Sequence, residues 1–313
     1  MPVSLVTGGA GFIGSHLVDA LIKQGDAVRV LDNFSTGKLE NLTHIKDQID
    51  LIKGDLRDPV DLKNAVRGVD TIFHQAAFVS VPLSMEEPDT CFDINVAGTT
   101  RLLSSAREAG VKRVVLASSA AVYGDNSSVP LKEDETADPL SPYAASKYIG
   151  EIYTSLYTRQ FGLDVVALRY FNVFGPRQNP GSDYAAVIPI FIKTLENEED
   201  PVIFGDGLQS RDFIFISDLV RANLLAAESS QAPGQVINIC SGEEINLLDL
   251  IKLLGNIYGR EIQPSFEEAR PGDIYRSLGD SSRAKELLEF TPSTSFKEGL
   301  KQTTAWMKRS SSN

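Results

Sequence analysis

Tyr143 and Lys147 stand four residues apart in a stretch, 143–161, whose apolar pattern fits a helix, which puts both on one face in neighbouring turns. A phenol beside an ammonium is a candidate general base, because the positive charge stabilises the phenolate and lowers a pKa that ordinarily lies at about 10. An exposed helical pair without function has the same spacing, so the company of the pair matters. Ser118 and Ser119 follow an apolar run, 111–116, expected to be a strand. They are thereby placed at the carboxyl edge of a sheet, where ligands of doubly wound proteins sit.

A second group lies at the amino terminus, where the run 3–6 is followed by Thr7-Gly8-Gly9-Ala10-Gly11-Phe12-Ile13-Gly14. Glycines spaced in this way between a strand and a helix form a dinucleotide turn. Gly8 permits the bend, Gly11 lets backbone approach a pyrophosphate, Gly14 lets helix and strand pack, and the helix start at Phe12 and Ile13 faces the negative charge. The next expected strand ends at Asp32, whose carboxylate can accept from ribose hydroxyls and would repel a 2'-phosphate, favouring NAD over NADP. Asp55, after the third strand, reads equally as a residue at the adenine edge or as a surface turn before Arg57-Asp58-Pro59.

Strand-like runs at 3–6, 27–31, 49–52, 71–73, 111–116 and 165–168 alternate with helix-like stretches at 11–23, 59–66, 96–108 and 143–161. That order implies a parallel sheet covered by helices on both faces, with right-handed crossovers. The expected fold class is α/β, a doubly wound parallel sheet of the NAD-binding Rossmann type with a smaller C-terminal α/β substrate domain. The expected division is 1–170 and 171–313, with the chain returning to the first unit around 212–240. In the second unit the runs 202–204 and 236–240 are expected strands, and 187–195, 217–228, 247–258 and 297–307 expected helices. A charged loop is expected between the last two, and a disordered tail from Ser310.

The 313 residues are 42% hydrophobic and 23% charged, an ordinary globular mix that excludes a disordered chain or a coiled-coil rod. A net charge of -12 disfavours a nucleic-acid partner. No apolar run reaches the roughly 18 residues of a membrane span, and no signal peptide precedes the first strand, so a cytoplasmic location is expected. Cys91 and Cys240 are expected to be reduced core residues, and His16, His44 and His74 lack metal spacing, so no metal is expected. The glycosylation patterns at Asn41 and Asn126 read as loop residues.

Thr7 to Gly14, Asp32, Ser119-Ala-Ala-Val-Tyr-Gly124 and the Tyr143/Lys147 pair together resemble the extended short-chain dehydrogenase/reductase family over nearly the whole chain. The resemblance implies that Ser119 bonds the substrate oxygen, Tyr143 is the acid/base and Lys147 holds the nicotinamide ribose. Asn95 is implied to buttress the site, with a helix cap as the plain alternative. It further places Asn33, Ser35, Thr36, Gly37, Leu56, Gln75, Ala76, Ala77, Tyr170 and Val173 around NAD.

Family members that dehydrate or decarboxylate nucleotide sugars carry an acid in the two positions after the catalytic hydroxyl. Here those are Ala120 and Ala121, whose methyl groups transfer no proton. Chemistry with one base and one hydride acceptor remains, and the segments Gln75 to Pro82 and Phe171 to Tyr184 resemble those of UDP-sugar 4-epimerases, especially the ones that act on UDP-N-acetylglucosamine. By resemblance Ser80, Ser118, Asn172, Ala186, Val187, Ile188, Arg211, Arg270 and Asp273 line a UDP-sugar site. The resemblance also implies that Ser277, seven after Arg270 where epimerases restricted to plain sugars carry a tyrosine, leaves room for an N-acetyl group, so that acetylated and plain sugars are both expected to be admitted. A UDP-glucuronate or plain UDP-glucose 4-epimerase, a net reductase and a non-catalytic NAD sensor are the competing readings. A homodimer through the helices 96–108 and 143–161 is expected.

Overall fold

The computed structural model describes residues 1–179, 186–269 and 274–311. The first half runs β1 (Val3–Thr7), α1 (Phe12–Gln24), β2 (Ala27–Asp32), β3 (Ile49–Lys53), α2 (Pro59–Val66), β4 (Thr71–His74), α3 (Val81–Glu86), α4 (Pro88–Phe92), α5 (Thr99–Glu108), β5 (Arg113–Ser119), α6 (Pro142–Leu156) and β6 (Asp164–Tyr170). The second half continues with β7 (Asn172–Phe174), α7 (Val187–Glu196), β8 (Val202–Phe204), β9 (Ser210–Phe215), α8 (Ile216–Glu228), β10 (Val236–Ile239), β11 (Glu244–Asn246), α9 (Leu247–Tyr258), β12 (Ser265–Glu267), β13 (Arg276–Ser277), α10 (Ser282–Leu288) and α11 (Phe296–Ser311).

Seven strands form one parallel sheet in the order β3-β2-β1-β4-β5-β6-β10. Successive residues of its strands point to opposite faces, and both faces are apolar. Leu5, Ile72, Val114 and Val165 enter one core cluster, while their neighbours Val6, Phe73, Val115 and Val166 enter the other. Helices cover each face, α1 packing on α8 and α2 on α5. The strand order reverses between β1 and β4, and that switch point opens a crevice above the carboxyl ends.

A smaller sheet is centred on β9, which pairs with β11, β13 and β7, while β8 pairs with β12. Phe174 packs against Phe213, Phe215 and Phe296, with ring centroids 5.1 to 6.1 Å apart, and so ties this sheet to α11.

Several boundaries differ from the sequence reading. β5 continues to Ser119 because β6 runs beside it, Ser119 opposite Tyr170, so the two serines end the strand rather than follow it. The expected helix 96–108 begins inside a π-helical turn, Asp93–Gly98, and 143–161 divides into α6 and a second such turn, Tyr157–Phe161, stopped by Gly162 at φ 68°. The charged loop holds β12, β13 and α10, too short to carry a periodic signal, and α11 runs through Ser310. Among the described residues no helix is long and apolar enough to cross a membrane.

Candidate active site

At the end of β1, Gly8 takes the left-handed conformation at φ 69°, and a methyl group there would lie 2.7 Å from the Ala76 backbone nitrogen. The glycine turn therefore closely approaches Gln75 and Ala76, just after β4, across the switch point. A methyl on Gly14 would fall 2.1 Å from the Gly8 carbonyl oxygen, so α1 can approach the turn only with glycine at this position. Gly11 caps α1 with no side-chain acceptor, and no acidic residue stands in the first turn. The first-turn N–H groups at Phe12 and Ile13 are thus left for an anion, and this cradle fits a dinucleotide pyrophosphate.

Asp32 ends β2 and is buried, 7% exposed. Its carboxylate accepts from the Ala10 N–H at 2.9 Å and the Phe34 N–H at 2.8 Å. Burial raises its pKa, opposed by those two bonds. Gly37 crosses so close that a methyl would lie 2.9 Å from Asp32 Oδ1, while Asn33, Ser35 and Thr36 form the exposed rim. The Arg57 guanidinium forks onto Asp55 at 2.7 and 2.9 Å, Asn33 Nδ2 donates to it at 2.9 Å, and the arginine holds this carboxyl well below its usual range. The Asp55 carboxylate is thus engaged by Arg57 and Asn33 in the turn after β3. The Leu56 side chain is buried in the core, leaving only its backbone to meet a ligand.

Ser141 caps α6, its hydroxyl accepting from the Ala144 N–H at 3.1 Å, and Pro142 opens the helix, which fixes Tyr143 in the first turn. The Ser119 hydroxyl faces the Tyr143 phenol. Burial pushes the phenol's pKa up and the Ser119 bond pulls it down. The expected lowering by Lys147 is not produced by the chain alone, because Lys147 Nζ donates to the Ala117 carbonyl at 2.9 Å and lies 5.8 Å from the Tyr143 ring centroid. Burial lowers the pKa of Lys147 itself to about 8.

Ser118 departs from the sequence reading. Strand alternation turns its hydroxyl away from Tyr143, and it donates to Glu151 Oε1 at 2.6 Å. Glu151 in turn holds Arg169 through two bonds of 2.7 Å, and all three side chains are buried. Asn95 is no helix cap. Its Oδ1 accepts from the Phe78 N–H at 2.7 Å, and its Nδ2 donates to the Phe78 carbonyl at 3.0 Å and to Ser146 Oγ at 2.9 Å, so it fastens the segment after β4 to α6. His74 lies between the hydroxyls of Thr7, 2.7 Å, and Thr99, 2.9 Å, and burial drives its pKa down to about 3. Beside it, Gln75 and Tyr170 are hydrogen-bonded at 3.0 Å, and Val173 follows on β7.

On the small sheet the register sets Ser277 of β13 opposite Arg211 of β9, and Asn172 of β7 opposite Phe213. Asn172 is exposed, Arg211 half-buried with one guanidinium nitrogen donating to the Ser210 carbonyl at 2.8 Å, and Ser277 buried. Ala186 caps α7 without a side-chain bond and Val187 opens it. Ile188 is 1% exposed and belongs to the core, so its side chain faces away from any ligand. The Ser80 hydroxyl caps α3, accepting from the Leu83 N–H at 3.1 Å, and α3 docks on α6 where the Tyr143 N–H donates to Ser84 Oγ. Arg270 and Asp273 lie outside the described residues. Among the described residues no group of three or more His, Cys, Asp or Glu side chains is placed to hold a metal.

Residues 4–240 match the model of the NAD dependent epimerase/dehydratase family. The chain belongs to that family. It is 40% identical over 306 residues to a putative UDP-glucose 4-epimerase of Methanocaldococcus jannaschii, covering 97% of this chain and 98% of the relative. Among solved structures, it superposes with TM-score 0.94 at 43% identity on a UDP-N-acetylglucosamine 4-epimerase from Methanobrevibacter ruminantium, covering 99% of both chains. It superposes with TM-score 0.93 at 39% identity on the UDP-glucose 4-epimerase of Thermotoga maritima, covering 98% of this chain and 99% of that one. The family resemblance, the Rossmann-type sheet and NAD as cofactor, all expected from the motifs, hold, and the chain is an NAD-dependent isomerase.

Sequence reasoning missed the residues behind the site. Glu151 had a signal, standing four after Lys147 on the same helix stripe. Thr99 and Asn223 had none, since their partners come from distant strands.

Proposed function

We propose that this enzyme interconverts the C4 epimers of UDP-hexoses, both the N-acetylglucosamine/N-acetylgalactosamine pair and the glucose/galactose pair. The observation that carries the reading is the pairing of Ser119, the last residue of β5, with the buried phenol of Tyr143 from the start of α6, Ser119 being followed by Ala120 and Ala121, which supply no second acid. Bound NAD supplies a hydride acceptor at C4 and returns the hydride. Tyr143 removes the proton of the 4-hydroxyl and gives it back once the keto sugar has presented its other face. Ser119 holds the same oxygen, and Lys147 favours the phenolate together with the positive charge that an oxidised nicotinamide ring would add. Asn172, Arg211 and Arg270 are assigned to the diphosphate, the guanidinium groups forking onto phosphate, and Asp273 to the ribose, whose hydroxyls can donate to a carboxylate. Ser277 is a buried small side chain paired with Arg211, and its size leaves room for an acetamide.

The test is incubation of the purified protein, without added NAD, with UDP-N-acetylglucosamine and with UDP-glucose, followed by chromatography for the 4-epimers. Product from both is expected. Product from UDP-glucose alone removes the acetamide reading, and product from neither, with NAD supplied, removes both in favour of a uronate substrate or a sensor.

We further propose that two copies pair through α5 and α6. In support, Phe92, Tyr148, Ile152 and Leu156 are exposed on this side of the molecule, beside a surface groove of about 500 Å³ lined in part by Phe92, Val96 and Tyr153. Light scattering on the eluting protein is expected to give twice the chain mass, and Ile152→Asp to give the single mass. A single mass for the unaltered chain overturns the pairing.

A further inference from the structure

We propose that Asn223 is a positioning residue that decides which end of the Gln75 amide is left to accept a hydrogen bond from NAD. Asn223 is fully buried on α8. Its Nδ2 donates to the Leu219 carbonyl one turn earlier at 2.9 Å, which commits that nitrogen and leaves Oδ1 facing the ends of β4 and β6. Tyr170 OH donates to this Oδ1 at 2.8 Å. Gln75 Nε2 donates to the phenol oxygen at 3.0 Å and to the same Oδ1 at 3.3 Å.

The polarity of the cluster follows from counting protons. A phenol has one, and burial keeps it in place. With that proton on Asn223, the Gln75 Oε1 at 3.3 Å from the phenol oxygen receives nothing from it and stays an acceptor. Reversing the Gln75 amide would set two acceptor oxygens, its own and that of Asn223, against a single proton and leave one unpaired. Gln75 is half-buried and stands at the switch point. Its backbone N–H donates to the Thr7 carbonyl at 3.1 Å, and its carbonyl carbon is 3.0 Å from where a Gly8 methyl would be. The oriented acceptor therefore sits beside the turn that cradles the dinucleotide, where ribose hydroxyls or the carboxamide N–H of NAD are the donors to meet it. Asn223 touches no ligand in this arrangement and acts through Gln75.

The experiment is calorimetric titration of NAD into the full-length protein freed of cofactor, for the unaltered chain, Asn223→Ala, Gln75→Glu and the two combined, with thermal melting as a separate check of folding. Asn223→Ala is expected to weaken NAD about three- to tenfold, the value of one oriented hydrogen bond. Gln75→Glu alone is also expected to weaken it, because one carboxylate oxygen then faces Asn223 Oδ1. In the combination that oxygen takes the Tyr170 proton while the other remains an acceptor whatever its rotation, so the double variant is expected to bind NAD at least as tightly as either single one. Losses that multiply, or an unchanged affinity in Asn223→Ala, overturn the proposal. If Asn223→Ala does not fold, Asn223→Ser takes its place in the same cycle, and multiplying losses or an unchanged affinity overturn the proposal there too.

Discussion

Burial pulls the two central groups of this site in opposite directions. Tyr143 is held above the ordinary value of a phenol, and Lys147 is lowered to about 8. Replacing Tyr143 by Phe removes the proton carrier and keeps the ring, so turnover is expected to fall by about 10²- to 10⁴-fold while the NAD Kd, read by titration, stays within about twofold. The lysine makes a prediction about stability. Its folded pKa lies below the ordinary 10.5, so between about pH 8 and 10.5 the unfolded chain holds more protons than the folded one, and stability rises with pH across that window. Thermal melting of the NAD-free protein is expected to show this rise, and Lys147→Met to remove it from the difference curve. A fall in the unaltered chain relative to the variant contradicts the assignment.

At the scale of elements, the end of β5 splits two adjacent hydroxyls between two duties. Ser119 faces Tyr143, and Ser118 faces the buried Glu151–Arg169 pair that joins α6 to β6. Ser118→Ala is expected to destabilise the fold by about 1 to 2 kcal/mol, the loss of a bond to a buried charge, with kcat within about threefold of the unaltered chain. Ser119→Ala is expected to do the reverse, lowering kcat at least about tenfold with a melting temperature nearly unchanged. Denaturant titration and steady-state rates on the two variants separate the roles, and matching profiles would deny the split. The sequence shows both serines but not their division, because alternation assigns a face only once the strand's last residue is known, and β6 sets that end by pairing Ser119 with Tyr170.

At the scale of the molecule, an acidic chain of net charge -12 is read as binding two anionic ligands, so the attraction has to be local. The uncapped start of α1 supplies it for the cofactor. For the substrate, the small sheet gathers the proposed ligands Asn172, Arg211 and Ser277 from three separated stretches, β7, β9 and β13. Ser277→Tyr adds a ring beside Arg211 and is expected to lower kcat/KM for UDP-N-acetylglucosamine by at least about tenfold more than for UDP-glucose. Equal losses on the two substrates, measured side by side, would remove Ser277 from selectivity.

The sequence by itself determined the parts whose physics is local. The glycine spacing at 8, 11 and 14 specifies a tight turn, with Gly8 and Gly14 standing where a side chain would collide with backbone, the strand-helix alternation specifies a parallel sheet, and a four-residue spacing puts Tyr143 and Lys147 on one helical face. The tertiary structure decided what depends on partners far along the chain. It turned Ser118 to Glu151, gave Asp55 to Arg57, sent Ile188 and Leu56 into the core, and joined Gln75, Tyr170 and Asn223 across three elements. A hydroxyl or an amide states in the sequence only that it needs a partner. Which partner it meets, and so whether it faces the ligand or the interior, is fixed when the sheet order brings β1, β4 and β6 together under α6 and α8.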